Sequence, residues 1–413
     1  MPAGPEMPSF RVEDEAPAAE PVEQRHAGTT MVRHDAFLPE RLIDADAAKV
    51  VRRLERAGFQ AYLVGGCVRD LLLGGKPKDF DVATSARPED VRGLFRNCRI
   101  IGRRFRLAHV LYGQGKVIEV ATFRRNPVAD DDEADLLIRS DNVFGEAHED
   151  ALRRDFTINA LFYDLDRGQV LDWCGGMEDV ARRTISTIGE PSVRFREDPV
   201  RILRAIKFAA RLDLGIHADC YDAMVAHREE LAKAARPRVF EEILRLLRGG
   251  ASHRSMWLLW ESGVMALLLP ELAAFLDDAE STGDAAERFW RRLDVLDRMT
   301  QERGKPLDDV VLFSALLREP MVESCSGSRD LGAATNDFLQ PIIERIALPR
   351  RIAEGISRAH MLVERVLRRG VSRLVRQELP PVLVDGLEIE LVIHGHDTTG
   401  LVHLRRAPGR DDR

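Results

Sequence analysis

The stretch 61-AYLVGGCVRDLLLGGKPKDFDVA-83 decides how this chain folds. Tyr62–Val64 is a short apolar run of β type that breaks at Gly65-Gly66. A helical turn carrying Arg69 and Asp70 follows, with Leu71–Leu73 on an apolar face and Gly74-Gly75 as its stop. Asp79-Phe80-Asp81 then opens a second strand. Paired glycines let backbone N–H groups approach an anion without a Cβ in the way. Arg69 can add a guanidinium there, and a helix N-terminus favours negative charge.

In a strand, residues i and i+2 share a face, so Asp79 and Asp81 are expected side by side with Phe80 turned to the core. Adjacent carboxylates repel unless a cation lies between them. Hard oxygen ligands suit Mg²⁺, which also draws ligands from nucleotide phosphates. Either half alone reads equally well as a surface turn or an acidic strand. A phosphate cradle followed within one short helix by a carboxylate pair points to nucleotidyl transfer.

A chain of 413 residues is too long for one ordinary core, so two or more domains are expected. With 45% hydrophobic and 31% charged residues it reads as a soluble globular protein. No apolar run reaches the roughly 18 residues of a membrane span. The start lacks a secretory signal, and Cys67, Cys98, Cys174, Cys220 and Cys325 are far apart without metal-ligand spacing. Those features fit a reducing cytoplasm. Cys67 beside the glycine turn is assigned to packing. The net charge of −7 conceals an uneven distribution. Residues 1–40 hold eight acids against three Lys/Arg, whereas arginine gathers in Arg96–Arg106 and again in Arg194–Arg211. Arginine forks suit phosphates, and local fields outweigh the total.

In chain order, residues 1–38 are rich in Pro, Ala and Glu without periodicity and are expected to be a disordered leader. Leu42–Ala57 has helical spacing and ends at Gly58; Arg87–Phe95 is a second helix. Leu107–Tyr112 and Lys116–Phe123 form β-like runs around Gly113-Gln114-Gly115, with Glu119 able to face the Asp pair. A helix is expected at Ala151–Leu161, then two strands around Asp166-Arg167-Gly168. From Pro199 the chain is almost wholly helical up to Arg369, and Leu379–Arg413 has no firm assignment. Trp257, Trp260 and Trp290 are read as core.

Two further groups carry polar chemistry. In Arg153-Arg154-Asp155-Phe156-Thr157-Ile158-Asn159, helical spacing puts Asp155 and Asn159 on one face, where they could address a ribose and phosphates. In Arg196-Glu197-Asp198-Pro199-Val200-Arg201, Asp198 falls at an N-cap position. Arg201 and Arg204 follow one turn apart, and an Asp acceptor beside an Arg donor could read a base edge.

LVGGCVRDLLLG with KDFDVAT, RRDFTINALFYD and REDPVRILRAIKFAARL resembles the bacterial class II nucleotidyltransferases of the polymerase-beta superfamily, which include CCA-adding enzymes and bacterial poly(A) polymerases. Within that group, Ile100–Val110 (IIGRRFRLAHV) is similar to the segment that marks the poly(A) enzymes. The resemblance implies an α+β fold: a catalytic head with a mixed sheet over residues 39–190, a helical neck over 191–250, and a helical RNA-binding body and tail over 251–413. It implies that Gly65, Gly66 and Arg69 hold a triphosphate and that Asp79 and Asp81 bind two Mg²⁺ ions. Arg154, Asp155 and Asn159 would contact ribose and phosphates, with Asp198 and Arg201 at the incoming base. Asp155 is the first choice for a third active-site carboxylate, with Glu119 as its competitor. The implied reaction adds AMP from ATP to RNA 3′ ends. CCA addition is the nearest alternative and an inactive RNA-binding protein a more distant one. A monomer is expected.

Overall fold

The computed structural model describes residues 30–36, 38–102, 106–125, 143–278, 283–370 and 379–404. It divides into two compact units, Met1–Arg201 with Leu214–Met224, and Ile202–Asp213 with Val225–Arg413. The segment read as a neck, 191–250, is therefore shared between them.

The first unit is built on one sheet. Strand β1 (Val32–Asp35) precedes helix α1 (Ala45–Arg56). Asp44 caps α1 by accepting from the backbone N–H groups of Asp46 and Ala47. The helix buries Ala47, Val50, Val51 and Leu54, and Gly58 ends it at φ +87°. Next come β2 (Ala61–Val64), α2 (Gly66–Leu72), β3 (Asp81–Thr84), α3 (Pro88–Leu94), β4 (Cys98–Ile101), β5 (Leu107–Leu111) and β6 (Val117–Thr122). The short pair β7 (Arg124–Arg125) and β8 (Val143–Phe144) leads to α4 (Ala147–Leu152), β9 (Phe162–Asp164) and β10 (Gln169–Asp172). The strand order is β1-β10-β9-β2-β3-β6-β5-β4. Only β3 and β6 pair in parallel, so the sheet is mixed, as the α+β reading requires. Alternation decides which face is covered: Ala108, Val110, Ile118 and Val120 are buried, with α1 and α3 packed against these strands. On the other strands Val64, Phe123, Phe162, Leu171 and Trp173 form a continuous core.

The leader boundary at residue 38 is corrected. Val32–Asp35 is an edge strand paired antiparallel with β10, so the head begins before residue 39. Four residues of pairing are too few to stand out against the Pro- and Glu-rich composition around them; residues 1–29 lie outside the described part.

After β10 come α5 (Gly176–Ala181), β11 (Thr184–Ile185), α6 (Pro191–Glu197) and α7 (Val200–Leu212), inside which the two units divide. β12 (Gly215–Ile216) pairs with β11, and α8 (Ala218–Ala226) completes the first unit apart from its last two residues.

The second unit is helical: α9 (Arg236–Arg248), α10 (Ser252–Glu261), α11 (Val264–Leu268), α12 (Pro270–Asp277), α13 (Asp284–Arg303), α14 (Asp309–Ser324), α15 (Leu331–Ile346), α16 (Arg350–Arg369) and α17 (Pro381–Ile393). Helix α16 ends at Arg369, where the helical pattern of the sequence ends, and α17 lies within the stretch from Leu379, of which residues 405–413 are outside the described part. Trp257, Trp260 and Trp290 cluster with ring centroids 5.4 to 6.2 Å apart and are half-buried rather than fully internal. The unit also buries an ionic group. Arg292 is wholly buried, with Nε donating to Glu390 at 2.6 Å and Nη2 to Glu319 at 2.7 Å. Arg318 adds a contact to Glu390 and a hydrogen bond to Glu364, and it meets the His360 ring. Among the described residues no helix is long and apolar enough to cross a membrane.

Candidate active site

The glycine turn is a built feature of the head. Gly65 has φ +70°, a conformation that side chains with a Cβ rarely adopt. A Cβ there would lie 2.8 Å from Arg154 Nη1, so the position also serves close approach. Its own N–H donates to Leu161 O, which takes it out of the anion cradle. The N–H groups left without helical partners at this end are those of Gly66, Cys67 and Val68. Cys67 is buried, donates to Val64 O at 3.3 Å, and burial pushes its thiol up to about 12. It is a packing residue.

Arg69 is buried rather than open to a ligand. Nε and Nη2 donate to Asp70 Oδ1 at 2.9 and 2.6 Å, and Nη1 donates to Asn159 Oδ1 at 2.6 Å. Asn159 Nδ2 in turn donates to Asp155 Oδ1 at 3.1 Å, and Asp155 also accepts from the Phe156 N–H. The chain Arg69–Asn159–Asp155 ties α2 to the segment after α4. The helix expected at Ala151–Leu161 is a correction: α4 ends at Leu152, Phe156 forms a bridge with Thr187, and Thr157–Asn159 is a single 3-10 turn. Asp155 and Asn159 meet through that turn and not through helical i,i+4 spacing. Pairing with Thr187, far along the chain, overrides the local preference.

Arg154 is the less buried of the two arginines, its side chain 20% exposed. Nη1 donates to Asn159 O at 3.0 Å, Nη2 donates to Asp150 Oδ2 at 3.0 Å, and the guanidinium stands 5.1 Å from the Phe162 ring centroid. Its Nε has no hydrogen-bond partner among the described residues. Asp150 is almost wholly buried and also binds Arg153 Nε and Nη2 and the Arg124 N–H. Burial opposes its charge, but Arg154 and Arg153 hold its pKa below the usual value. Sequence reasoning missed Asp150, although its i,i+3 and i,i+4 spacing to Arg153 and Arg154 was a signal. It also missed the task of Arg194: buried in α6, this side chain donates to the carbonyls of Arg153 and Arg154 and to Glu197 Oε2. Burial lowers its pKa to about 10, with Arg201 adding to the shift.

The acidic pair stands at the start of β3. The strand opens at Asp81, so Asp79 lies just before it; both are exposed, with Phe80 buried between them. In the parallel β3–β6 register Asp81 is directly opposite Glu119, placing a third carboxylate on the same face. Crowding by surrounding protein raises the Asp81 pKa to about 6, with Glu119 and then Asp79 adding to the rise against the pull of Arg154. Asp155 is instead engaged by Asn159, so the register favours Glu119 as the third acidic group. Among the described residues no three His, Cys, Asp or Glu side chains are grouped so as to hold a metal ion between them. Two or three neighbouring carboxylates on an open face suit a hard cation that completes its shell with water and phosphate.

Asp198 is the C-terminal cap residue of α6, and Arg201 lies in the first turn of α7 with its Nη1 donating to Arg194 O and Glu197 Oε2, both at 2.9 Å. Arg204 belongs to the second unit, where it lies 4.0 Å from Glu242 and over the Phe208 ring.

Residues 61–186 match the family described as Poly A polymerase head domain, and residues 213–276 match the probable RNA and SrmB-binding site of polymerase A. The chain is 39% identical over 358 residues to Poly(A) polymerase I of Salmonella typhimurium, covering 82% of this chain and 76% of the relative. Poly(A) polymerase I of Haemophilus influenzae is 36% identical over 83% of this chain and 79% of its own length. The CCA-adding enzyme of Geobacillus stearothermophilus is 38% identical over only 55% of each chain. Among solved structures, the Bacillus stearothermophilus CCA-adding enzyme in complex with CTP aligns with a TM-score of 0.63 at 26% identity, over 86% of this chain and 79% of that one. With the head, its acidic pair and most of the helical unit matched together, the chain belongs to the bacterial poly(A) polymerase family of nucleotidyltransferases.

Proposed function

We propose that this chain adds AMP from ATP to RNA 3′ ends without a template, releasing pyrophosphate. The observation that carries this reading is coverage. The sequence match to Poly(A) polymerase I of Salmonella typhimurium covers 82% of the chain, whereas that to the CCA-adding enzyme of Geobacillus stearothermophilus covers 55%.

Asp79 and Asp81, with Glu119 beside them, would hold the divalent ions, for which their hard oxygens suit Mg²⁺. Bound there, the metal supplies Lewis acidity at the phosphates and lowers the pKa of the attacking hydroxyl. Arg154 and the N–H groups of Gly66, Cys67 and Val68 take the triphosphate charge. Asp150 and the Asn159 carbonyl fix the guanidinium before substrate arrives, so little reorganisation is needed. Arg69, Asn159 and Asp155 hold the glycine turn and the Arg154 segment in register, which makes them positioning residues. Asp198 and Arg201 are assigned to adenine recognition on the strength of the ED-x-x-R motif. Five unpaired cysteines support a cytoplasmic site of action.

Incubating the chain with a non-tRNA primer, Mg²⁺ and each NTP singly tests the reading. A long product made only of A supports it. A stop after two C and one A on a tRNA primer would assign the chain to CCA addition, and no incorporation of any nucleotide would leave an RNA-binding protein.

A further inference from the structure

The sheet face that carries Asp81 continues beyond the carboxylates to β4, the last strand of the sheet among the described residues. Residues directly opposite on neighbouring strands share a face. Asp81 lies opposite Glu119, Glu119 opposite His109, and His109 opposite Arg99. At about 4.8 Å per strand this single row spans roughly 14 Å. Charge changes sign along it. Two carboxylates are followed by an imidazole, whose Nε2 stands 3.5 Å from Glu119 Oε1, and then by a guanidinium. Arg99 is exposed and has no ionic or hydrogen-bond partner among the described residues.

The rows on either side are apolar. Ile101 pairs with Leu107, and Leu111 pairs with Val117. Ile101 is 47% exposed and Val117 38%. The buried alternate residues of β5 and β6 already face α1 and α3. A sheet with one solvated face normally keeps that face polar. Four aliphatic side chains flanking a charged row are what a nucleotide needs: a cation for its phosphate and apolar surface for its sugar and base.

We propose that this outer half of the face seats the 3′-terminal nucleotide of the RNA primer. Arg99 takes its phosphate, the aliphatic flanks take ribose and base, and His109 positions the terminal hydroxyl toward Glu119 and Asp81. The proposal rests on the reading that the chain extends RNA, and it adds where the primer lies.

Steady-state extension of a short oligoadenylate by the full chain, with primer and ATP varied separately, tests it. Arg99→Ala is expected to raise the primer KM by about ten-fold, the loss of one charge-assisted phosphate contact, with kcat and the KM for ATP within about two-fold of the parent. Primer binding followed by fluorescence anisotropy without ATP should lose about 0.7 from its log–log salt slope, and Arg99→Lys should restore the slope. His109→Ala is expected to lower kcat at saturating primer while leaving the KM for ATP unchanged, with partial rescue in His109→Gln. An active parent whose Arg99→Ala variant keeps the same primer KM and salt slope would overturn the primer site and leave the polymerase reading standing. A parent that extends no primer overturns both.

Discussion

Two clusters of carboxylates in this molecule, one held by arginines and one without them, behave in opposite ways. In the helical unit, Arg288, Arg292 and Arg318 meet Glu319, Glu390 and Glu364, three charges of each sign, and each charge has a partner within hydrogen-bond reach. Burial works against Glu390, but Arg292 and Arg318 keep its pKa below the ordinary value. On the head sheet, Asp79, Asp81 and Glu119 stand together on an open face, and Asp81 is pushed up to about 6. The first cluster is electrically complete and serves the fold. The second is short of positive charge, which is the state that attracts a cation. The count of charged residues does not separate structure from function here; the state of compensation does.

The strongest way to break the contrast is to remove a head carboxylate. Asp79→Ala or Asp81→Ala is expected to lower kcat for primer extension by about three orders of magnitude or more, with an unchanged thermal transition. Retained extension would end the assignment. Arg292→Met should do the reverse, destabilising the helical unit by about 3–5 kcal/mol because Glu319 and Glu390 would be left buried and uncompensated. Chemical denaturation followed by far-UV circular dichroism measures this.

Gly65→Ala sharpens the contrast by disturbing the site without touching a charge. Positive φ and the 2.8 Å approach of Arg154 predict about 1–3 kcal/mol of lost stability together with a raised KM for ATP. An unchanged KM for ATP would separate the glycine turn from triphosphate binding.

The smallest effect concerns pH. Burial, with Arg318 adding to it and Glu364 and Glu390 opposing, lowers the His360 pKa from 6.5 to about 4. The unfolded chain therefore takes up a proton at higher pH than the native one. Stability is undiminished above about pH 6.5 and declines as pH falls from there toward 4. His360→Gln should flatten the melting temperature across that window, and an equally steep slope in the variant would exclude His360 as its source.

Much of the head was legible from local pattern. The apolar run before Gly65, the spacing of Asp79 and Asp81 around Phe80, and the glycines between Leu111 and Lys116 each report a local backbone need. They placed strands, turn and acidic pair within a few residues. Local pattern failed where distant pairing decided the backbone. Phe156 bridges Thr187, so RRDFTIN leaves the helix that its spacing suggests. Val32–Asp35 becomes a strand only because β10 offers it an edge. Arg69 looked like a phosphate ligand because its burial against Asp70 and Asn159 depends on a residue ninety positions away.

By itself, the order of residues determined the chemistry on offer: a glycine turn, paired carboxylates and arginine-rich motifs suited to moving a nucleotide onto RNA. Only the tertiary structure decided which groups meet. Strand register set Glu119 beside Asp81 and extended the row to His109 and Arg99, while burial withdrew Arg69 and left Arg154 only partly covered. Register and burial are sums over contacts between segments far apart in the chain, and no window of sequence contains them.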